Sequence, residues 1–536
     1  MPIHRVLRLA LCLTPVAWLY ASTAPPVDWA AAGKAWWANV EYLANDDLEG
    51  RNVGSAGYEK AAAYVAGEFE KAGLRPGGSD GYFQPVGFVE TSIDAVKSTL
   101  ALVRDGRRQQ IPVPGEAFLG YSQNSAASLD APMIFAGYGL VIPEAAHDDL
   151  KGLPVKGAVV AYLTGGPSEI DGNLRSHYSS SEERWKAFRA AGAIGSISIP
   201  NPESMEIPWL RQALSWGMPR MTLADSKLQT TAGQSFSATW NPAKADDLLA
   251  GSGHTFSEVL AAAGAHRPLP HFALAASVAA SVQISTRQVG SKNIVGIREG
   301  ADSNLKNEYV VISAHLDHLG VGKPIEGDAI YNGAMDDASG VASLIEIAKQ
   351  LQRQGARPKR SLAFVAVTAE EKGELGSGYF AGHPTLRGRI IADLNMDMFL
   401  PLFPLRWLEV QGLNESTLGD DVKQIAEQAG VKVQADKEPN RNRFIRSDQY
   451  SFIKKGIPAL AFKFGYLPGE PQEKIFKDWY ANRYHGVKDD LTQPVDLEAT
   501  AQFNAILRGL ALRVADAPQA PHWKTESFFK RFAAKS

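Results

Sequence analysis

Five short stretches of this 536-residue chain place imidazole or carboxylate side chains where an apolar run ends. SAHLDHLG follows YVVIS and carries His315, Asp317 and His318. YNGAMDDASG carries the adjacent Asp336 and Asp337 at the mouth of an expected helix; VTAEEKGELG carries Glu370 and Glu371. DLNMDMF carries Asp397, and RYHGVKDDL carries Tyr484 and His485. His315 suits zinc through one ring nitrogen, while Asp317 is placed to accept a hydrogen bond from the other and fix the tautomer. His318 reads as a pocket-lining residue rather than a ligand. Adjacent carboxylates such as Asp336 and Asp337 are costly unless a cation or a helix N-terminus compensates them, and an ordinary N-cap is the competing role. Glu370 and Glu371 can divide labour, one binding metal and the other moving protons; as a bare pair they would be surface acids. Asp397, between Met396 and Met398, is expected to be desolvated and to want a cation.

Taken together these groups form a nitrogen and oxygen ligand set suited to zinc and, less well, to cobalt or manganese. Three ligand carboxylates and one hydroxide balance the charge of two zinc ions, whereas a single ion leaves the set over-supplied with anions.

The elements that must position these groups are legible from residue 281 onward. Strands are expected at SVQISTRQV, NIVGIRE, YVVISAHL, SLAFVAVT, RIIADLNMD and PALAFKF. Helices are expected over about 338–354, 375–381, 418–429, 448–454 and 497–514. Val/Ile-rich strands alternating with helices predict an α/β fold, a mixed, mostly parallel sheet sandwiched by helices. In such sheets ligands bind beyond the carboxyl ends of the strands, where all five stretches fall. Further helices are expected at 28–40 and 58–72, with the glycine-punctuated loop DDLEGRNVGSAG between them. Residues 131–267 change style to short β-rich runs bounded by glycine and proline, without a cluster of metal-binding or nucleophilic residues. The expected organisation is a signal peptide over 1–24, an N-terminal part of the catalytic domain over 25–130, an inserted β-rich α/β domain over 131–267, the remaining catalytic domain over 268–515 and a C-terminal surface arm over 516–536.

A formal net charge of −3 gives no case for nucleic acid or an anionic membrane as partner. Arg5 and Arg8 precede the apolar run 9–20 and small residues at 21–24, the order of a secretory signal. The expected location is therefore secreted or periplasmic, with no stable membrane insertion once the signal is removed. Cys12, the only cysteine, lies inside that signal, which leaves neither disulfides nor a thiol nucleophile beyond it. Oligomeric state is not legible.

His315-Leu-Asp317, Asp336-Asp337-Ala-Ser-Gly, Glu370-Glu371, Asn395-Met-Asp397 and Tyr484-His485, in this order, resemble the signature of the co-catalytic two-zinc aminopeptidases. That group comprises the secreted bacterial leucine aminopeptidases, aminopeptidase Y and the glutamate carboxypeptidases. The resemblance covers the catalytic half and the DLEGRNVGSAG loop, and the 131–267 stretch is similar to the protease-associated domain often inserted there. It implies a zinc exopeptidase fold, peptide substrates and two zinc ions. Asp336 would bridge the ions, with His315 and Asp397 completing one site and Glu371 and His485 the other. Glu370 would be the general base, Asp317 would orient His315, Tyr484 would help stabilise the oxyanion, and the Asp336–Asp337 bond would be cis. One departure is Ser447-Asp448-Gln449, where many relatives have Ser-Asp-His, which bears on substrate preference. A carboxypeptidase or dipeptidase of the same family is the alternative, with Arg441, Arg443 and Arg446 available for a free carboxylate. A more distant one is an inactive ectodomain that binds a protein partner.

Overall fold

The computed structural model describes residues 27–120, 128–205, 207–441 and 443–533. The signal-peptide stretch 1–24 and Cys12 lie outside them. Two large sheets organise the chain. The ten-stranded sheet has at its centre four parallel strands in the order Ser361–Val367, Glu308–His315, Arg389–Asn395, Ala459–Gly465. Antiparallel wings flank this block: Ile284–Arg298, Phe83–Ile93 and Arg220–Leu223 on one side, Trp407–Gln411 on the other. Lys432–Ala435 then pairs parallel to Trp407–Gln411 at the edge.

Strand side chains alternate between faces, so a central strand covered on both sides must be apolar throughout. Val310, Ile312 and Ala314 enter one core with Leu362, Phe364 and Ala366, beneath the helices Trp29–Leu43, Ala56–Lys71, Ser339–Arg353 and Leu497–Asp516. Tyr309, Val311, Ala363, Val365 and Val367 enter the opposite core with Phe380 and Phe452, from the helices Leu375–Gly382 and Gln449–Ile453. Because neither face admits water, polar function is confined to the strand ends.

Several elements differ from their sequence expectations. SVQISTRQV and NIVGIRE form one continuous strand, Ile284–Arg298, since nothing in Gly290-Ser-Lys breaks an antiparallel ladder. Trp407–Gln411, Lys432–Ala435 and the helix Pro471–Asn482 are additional; the two strands are too short for their alternation to stand out. The stretch DDLLAGSGHTFSEVLAAAGA folds as two helices, Ala245–Leu249 and Phe256–Gly264, parted where Gly251 and Gly253 take positive φ of 81° and 83°.

The second, eight-stranded sheet draws on a wider stretch than 131–267, from Thr99–Arg104 to His271–Ser281. From within that stretch Arg220–Leu223 returns to pair with Phe83–Ile93 of the first sheet, so the two units share a strand ladder. The C-terminal stretch is not the surface arm expected from its basic-aromatic sequence. Trp523 and Phe529 are buried against Phe444, Tyr450 and Ile453, and the Trp523 indole donates to Gly456 O at 2.9 Å. The aromatic residues outweigh the charges there because each can bury a large apolar area. Among the described residues no helix is long and apolar enough to cross a membrane.

Candidate metal centre

His315 ends the strand Glu308–His315, Glu370 and Glu371 follow Ser361–Val367, and Asp397 follows Arg389–Asn395, so three adjacent parallel strands deliver four of the groups to one edge. Asp336 comes from the turn Ala334–Ala338 that opens the helix Ser339–Arg353, and His485 from the loop after Pro471–Asn482. The Asp336–Asp337 peptide is cis, as the resemblance implies. The close approach of this turn needs glycine at two positions. At Gly333, φ is 63° and a Cβ would stand 2.2 Å from Asp336 O; at Gly340 it would stand 2.1 Å from Met396 O.

Asp336 is the hub. Its Oδ1 lies 3.1 Å from His315 Nε2 and its Oδ2 3.2 Å from His485 Nε2. His315 Nε2 also faces Asp397 Oδ1 at 3.6 Å, and His485 Nε2 faces Glu371 Oε2 at 3.3 Å. One carboxylate thus joins two imidazole–carboxylate pairs. His315 Nε2, Asp336 Oδ2, Glu371 Oε1 and Asp397 Oδ1 are buried without a hydrogen-bond partner. Buried polar atoms are almost always satisfied, so a convergent set of ligand atoms without donors fits a cation.

Taken as protein groups alone, these residues compensate one another. Burial works against charge on the two imidazoles, yet Asp336 and Asp397 hold His315 well above the usual histidine range, and Glu371 with Asp336 raises His485 to about 10. Burial likewise opposes ionisation of Asp336 and Glu371, but the facing imidazoles pull both below the ordinary carboxylate range. Glu370 differs: burial, reinforced by Asp397, pushes its carboxyl well up despite His315.

A second grouping is also within ligand reach, His315 with Asp337 and Asp397, and His318 with Asp336 and Glu371. Asp337 is already engaged by backbone. Its Oδ1 accepts from Gly340 N at 2.9 Å and Met398 N at 3.4 Å, and its Oδ2 from His315 N at 3.3 Å. Those bonds brace three of the ligand-bearing segments, which favours Asp336 over Asp337 as the ligand. His318 is fully buried with Nδ1 2.7 Å from Glu371 Oε1, a closer partner for Glu371 than its expected pocket-lining place suggests.

Asp317 corrects the sequence reading in one respect. The His315 Nδ1 partner is the backbone oxygen of Asp317 at 3.0 Å, not its carboxylate. The carboxylate instead accepts from Glu370 N at 3.1 Å and Glu371 N at 3.3 Å, fixing the turn that presents both acids. A His-x-Asp spacing at a strand end lets the carbonyl of the aspartate itself reach the ring, freeing its side chain for the neighbouring strand.

Two supporting residues carried no assigned role in the sequence. Arg51, fully buried in the DDLEGRNVGSAG loop, donates to Leu316 O at 2.8 Å, Asn332 O at 2.6 Å, Gly333 O at 3.0 Å and Leu43 O. Burial lowers its pKa to about 10, and it stays charged at neutral pH. Asp489, four residues past His485, accepts from Met335 N at 2.9 Å and Asp336 N at 3.1 Å, with burial pushing its carboxyl up to about 7. The adjacent acids of KDDL were the only signal for Asp489, and an arginine in a glycine-rich loop was the only signal for Arg51.

A cavity of about 310 Å³ opens onto the centre, lined by Asp336, Glu370, Glu371, Asp397, Tyr484 and His485 on this side. The Tyr484 ring lies 4.0 Å from that of His485. Gln449 lines the cavity too, with its amide donating to Phe444 O at 3.0 Å. Arg443 and Arg446 are also on its wall, whereas Arg441 lines a different cavity against the second sheet.

Comparison with known proteins follows the same lines. Residues 293–511 match the model of Peptidase family M28. The chain is 25% identical over 224 residues to Aminopeptidase YwaD of Bacillus subtilis, covering 40% of this chain and 45% of that protein. It is 28% identical over 234 residues to a probable leucine aminopeptidase 2 of Aspergillus oryzae, covering 41% and 44%. To carboxypeptidase Q of Bos taurus it is 32% identical over 108 residues, covering 20% and 21%. The chain spans less than half the length of each of these curated relatives. The solved aminopeptidase from Aneurinibacillus sp. strain AM-1 superposes with a TM-score of 0.54 at 20% identity, over 92% of this chain and 97% of that one, a likeness of fold.

Proposed function

From the match of residues 293–511 to the model of Peptidase family M28 we propose that the chain is a zinc metallo-exopeptidase that removes N-terminal residues from peptides. The observation that carries this reading is Asp336, whose two oxygens each face a different imidazole, with Asp397 and Glu371 completing the two sets. His315, Asp336 and Asp397 would hold one zinc ion, and Asp336, Glu371 and His485 a second. Bound there, the ions would supply Lewis acidity to the scissile carbonyl and lower the pKa of water.

The remaining roles fall to the chain's own side chains. Glu370 takes a proton from the attacking water and returns it to the leaving amine; a buried carboxyl with a raised proton affinity suits both transfers. Asp317, through the two backbone N–H groups it accepts from, fixes where Glu370 stands. Tyr484, beside His485 on the cavity wall, donates its hydroxyl to the oxyanion. Asp489 and Arg51 hold the turn that presents Asp336. The wide unit from Thr99 to Ser281 restricts access as a protease-associated-like domain, and the Arg5–Ala24 pattern sends the protein out of the cytoplasm.

The test is hydrolysis of free-amine amino-acid anilides beside N-blocked dipeptides, with and without chelator. Chelator-sensitive release from the anilides supports the aminopeptidase reading. Cleavage of N-blocked dipeptides alone moves the assignment to carboxypeptidase, a reading favoured by the cationic residues on the cavity wall. No turnover of either, with metal bound, points to a binding protein.

A further inference from the structure

Three adjacent parallel strands of the second sheet, Val159–Leu163, Gly195–Ile199 and Phe236–Trp240, alternate between two faces. Ile197, Ile199, Phe236, Ala238 and Trp240 enter the core of that unit. The opposite face carries hydroxyls, because the register sets Ser196 beside Ser237 and Ser198 beside both Thr239 and Tyr162. The helix Ser181–Ala190 packs Trp185 and Phe188 against Val160 on this face. Between helix and hydroxyls lies a cavity of about 240 Å³, with Arg184 on its wall.

Arg184 is 6% exposed. Its Nη1 donates to Ser179 O at 2.6 Å, its guanidinium stands 4.3 Å over the Tyr162 ring and shares a hydrogen bond with that hydroxyl, and its Nε is buried without a partner. A guanidinium carries more N–H donors than these contacts use. Among the described residues no carboxylate lines the cavity, and none is within ion-pair distance of Arg184. Glu182 and Glu183 on the same helix pair with Lys186. Asp149, whose charge reaches Arg184, lines a different cavity between His147 and His271. Two of the hydroxyls also have a proton to give. Ser196 Oγ accepts from Gln234 Nε2 at 3.0 Å and Thr239 Oγ1 accepts from Ser198 Oγ at 3.0 Å, so each keeps its own O–H.

A buried guanidinium with an unused N–H, set among neutral donors, is matched by an anion rather than by a neutral ligand. The donors come from two strands on one side and a helix on the other. A tetrahedral oxyanion can meet both sets at once, whereas a planar carboxylate meets one.

We propose that this cavity binds a small tetrahedral oxyanion, a phosphate or sulfate group, with Arg184, Ser196 and Thr239 as its receptor. The site is separate from the metal centre and does not rest on the exopeptidase reading. A free ion and a small phosphate ester share this chemistry, so the experiment separates them.

The full chain loaded with zinc is titrated with inorganic phosphate, sulfate, glycerol 3-phosphate and acetate at constant ionic strength, read by calorimetry and by melting temperature. The same titrations are made on Arg184→Met, on Arg184→Lys and on a Ser196→Ala, Thr239→Val double variant. Zinc itself takes phosphate, but that contribution is common to all four proteins, and the differences between them isolate the cavity. The Kd for the tetrahedral anion should rise ~10–100-fold in Arg184→Met, the range of a charge-assisted hydrogen bond. Arg184→Lys, which keeps the charge but not the fork, should fall between it and the parent. The double variant leaves Arg184 in place and should weaken binding ~5–100-fold, as two neutral hydrogen bonds would. It carries the test if Arg184→Met does not fold. Tighter binding of glycerol 3-phosphate than of the free ions assigns the site to an ester, and the reverse to the free ion. Equal phosphate affinity in the parent and the double variant, or acetate bound as tightly as phosphate, overturns the proposal.

Discussion

Replacing Asp317 by Asn separates the two things a carboxylate at this position can do. Its side chain accepts from Glu370 N and Glu371 N at 3.1 and 3.3 Å, whereas His315 is oriented by the Asp317 carbonyl, which the substitution leaves in place. Asparagine keeps one accepting oxygen and turns an NH2 group toward the second amide. A hydrogen bond to a charged acceptor contributes ~1.5–3 kcal/mol. Losing one, with a donor now facing a donor, should misplace the Glu370–Glu371 turn by ~2–3 kcal/mol, which is ~30–150-fold in rate if it appears wholly at the transition state. The assay is kcat on a cleavable anilide alongside zinc content after dialysis. A fall in kcat of that size with the His315-side ion retained is the expected result. Loss of the ion held by His315, or no change in kcat, would refute this division of roles.

Glu370→Gln should lower kcat by ~10²–10⁴-fold while zinc content stays at the parent value, because the base is not a ligand. Arg51→Met removes the donor of four buried carbonyls at ~1–3 kcal/mol each before relaxation. It should destabilise the protein by ~3–5 kcal/mol, read by denaturant unfolding, with weaker zinc retention because Gly333 and Asn332 lead into the Asp336 turn. In the second sheet Asp149 Oδ1 lies 2.9 Å from His147 Nε2 and 3.1 Å from His271 Nε2. The close Asp149 carboxylate raises His147, and its two imidazole neighbours hold Asp149 below the ordinary range although burial opposes this. The His147 contribution is complete below pH 6.5 and lost as pH rises through its raised folded value. That of Asp149 is present above pH 3.8 and lost as pH falls through its lowered one. The melting temperature should therefore drop as pH rises above 6.5 and through the raised folded value of His147, and Asp149→Asn should flatten that slope.

The central strands and the helix Ser339–Arg353 were legible because full burial forces a continuous apolar run or a clear helical stripe into the sequence. The acids and histidines were legible for the complementary reason, since a carboxylate at the end of such a run is conspicuous. What could not be read was pairing at a distance. Asp317 looks like a partner for His315 when only spacing is visible; the parallel register that sets His315 beside Val367 brings the Glu370–Glu371 turn within its reach instead. Arg51 sits 265 positions from the carbonyl of Leu316, and nothing local marks it as the clamp of a turn. The second sheet extends past 131–267 because its outer strands, such as Thr99–Arg104, continue the β-rich style of their neighbours and leave no boundary in composition.

The most direct measurement is zinc content per chain, by atomic absorption after dialysis, for the protein and for Asp336→Ala, His485→Ala and His318→Ala. Two ions are expected in the parent, neither tightly held in Asp336→Ala, one in His485→Ala and two in His318→Ala. A single ion in the parent, or an Asp336→Ala protein that keeps both, would contradict a centre bridged by Asp336.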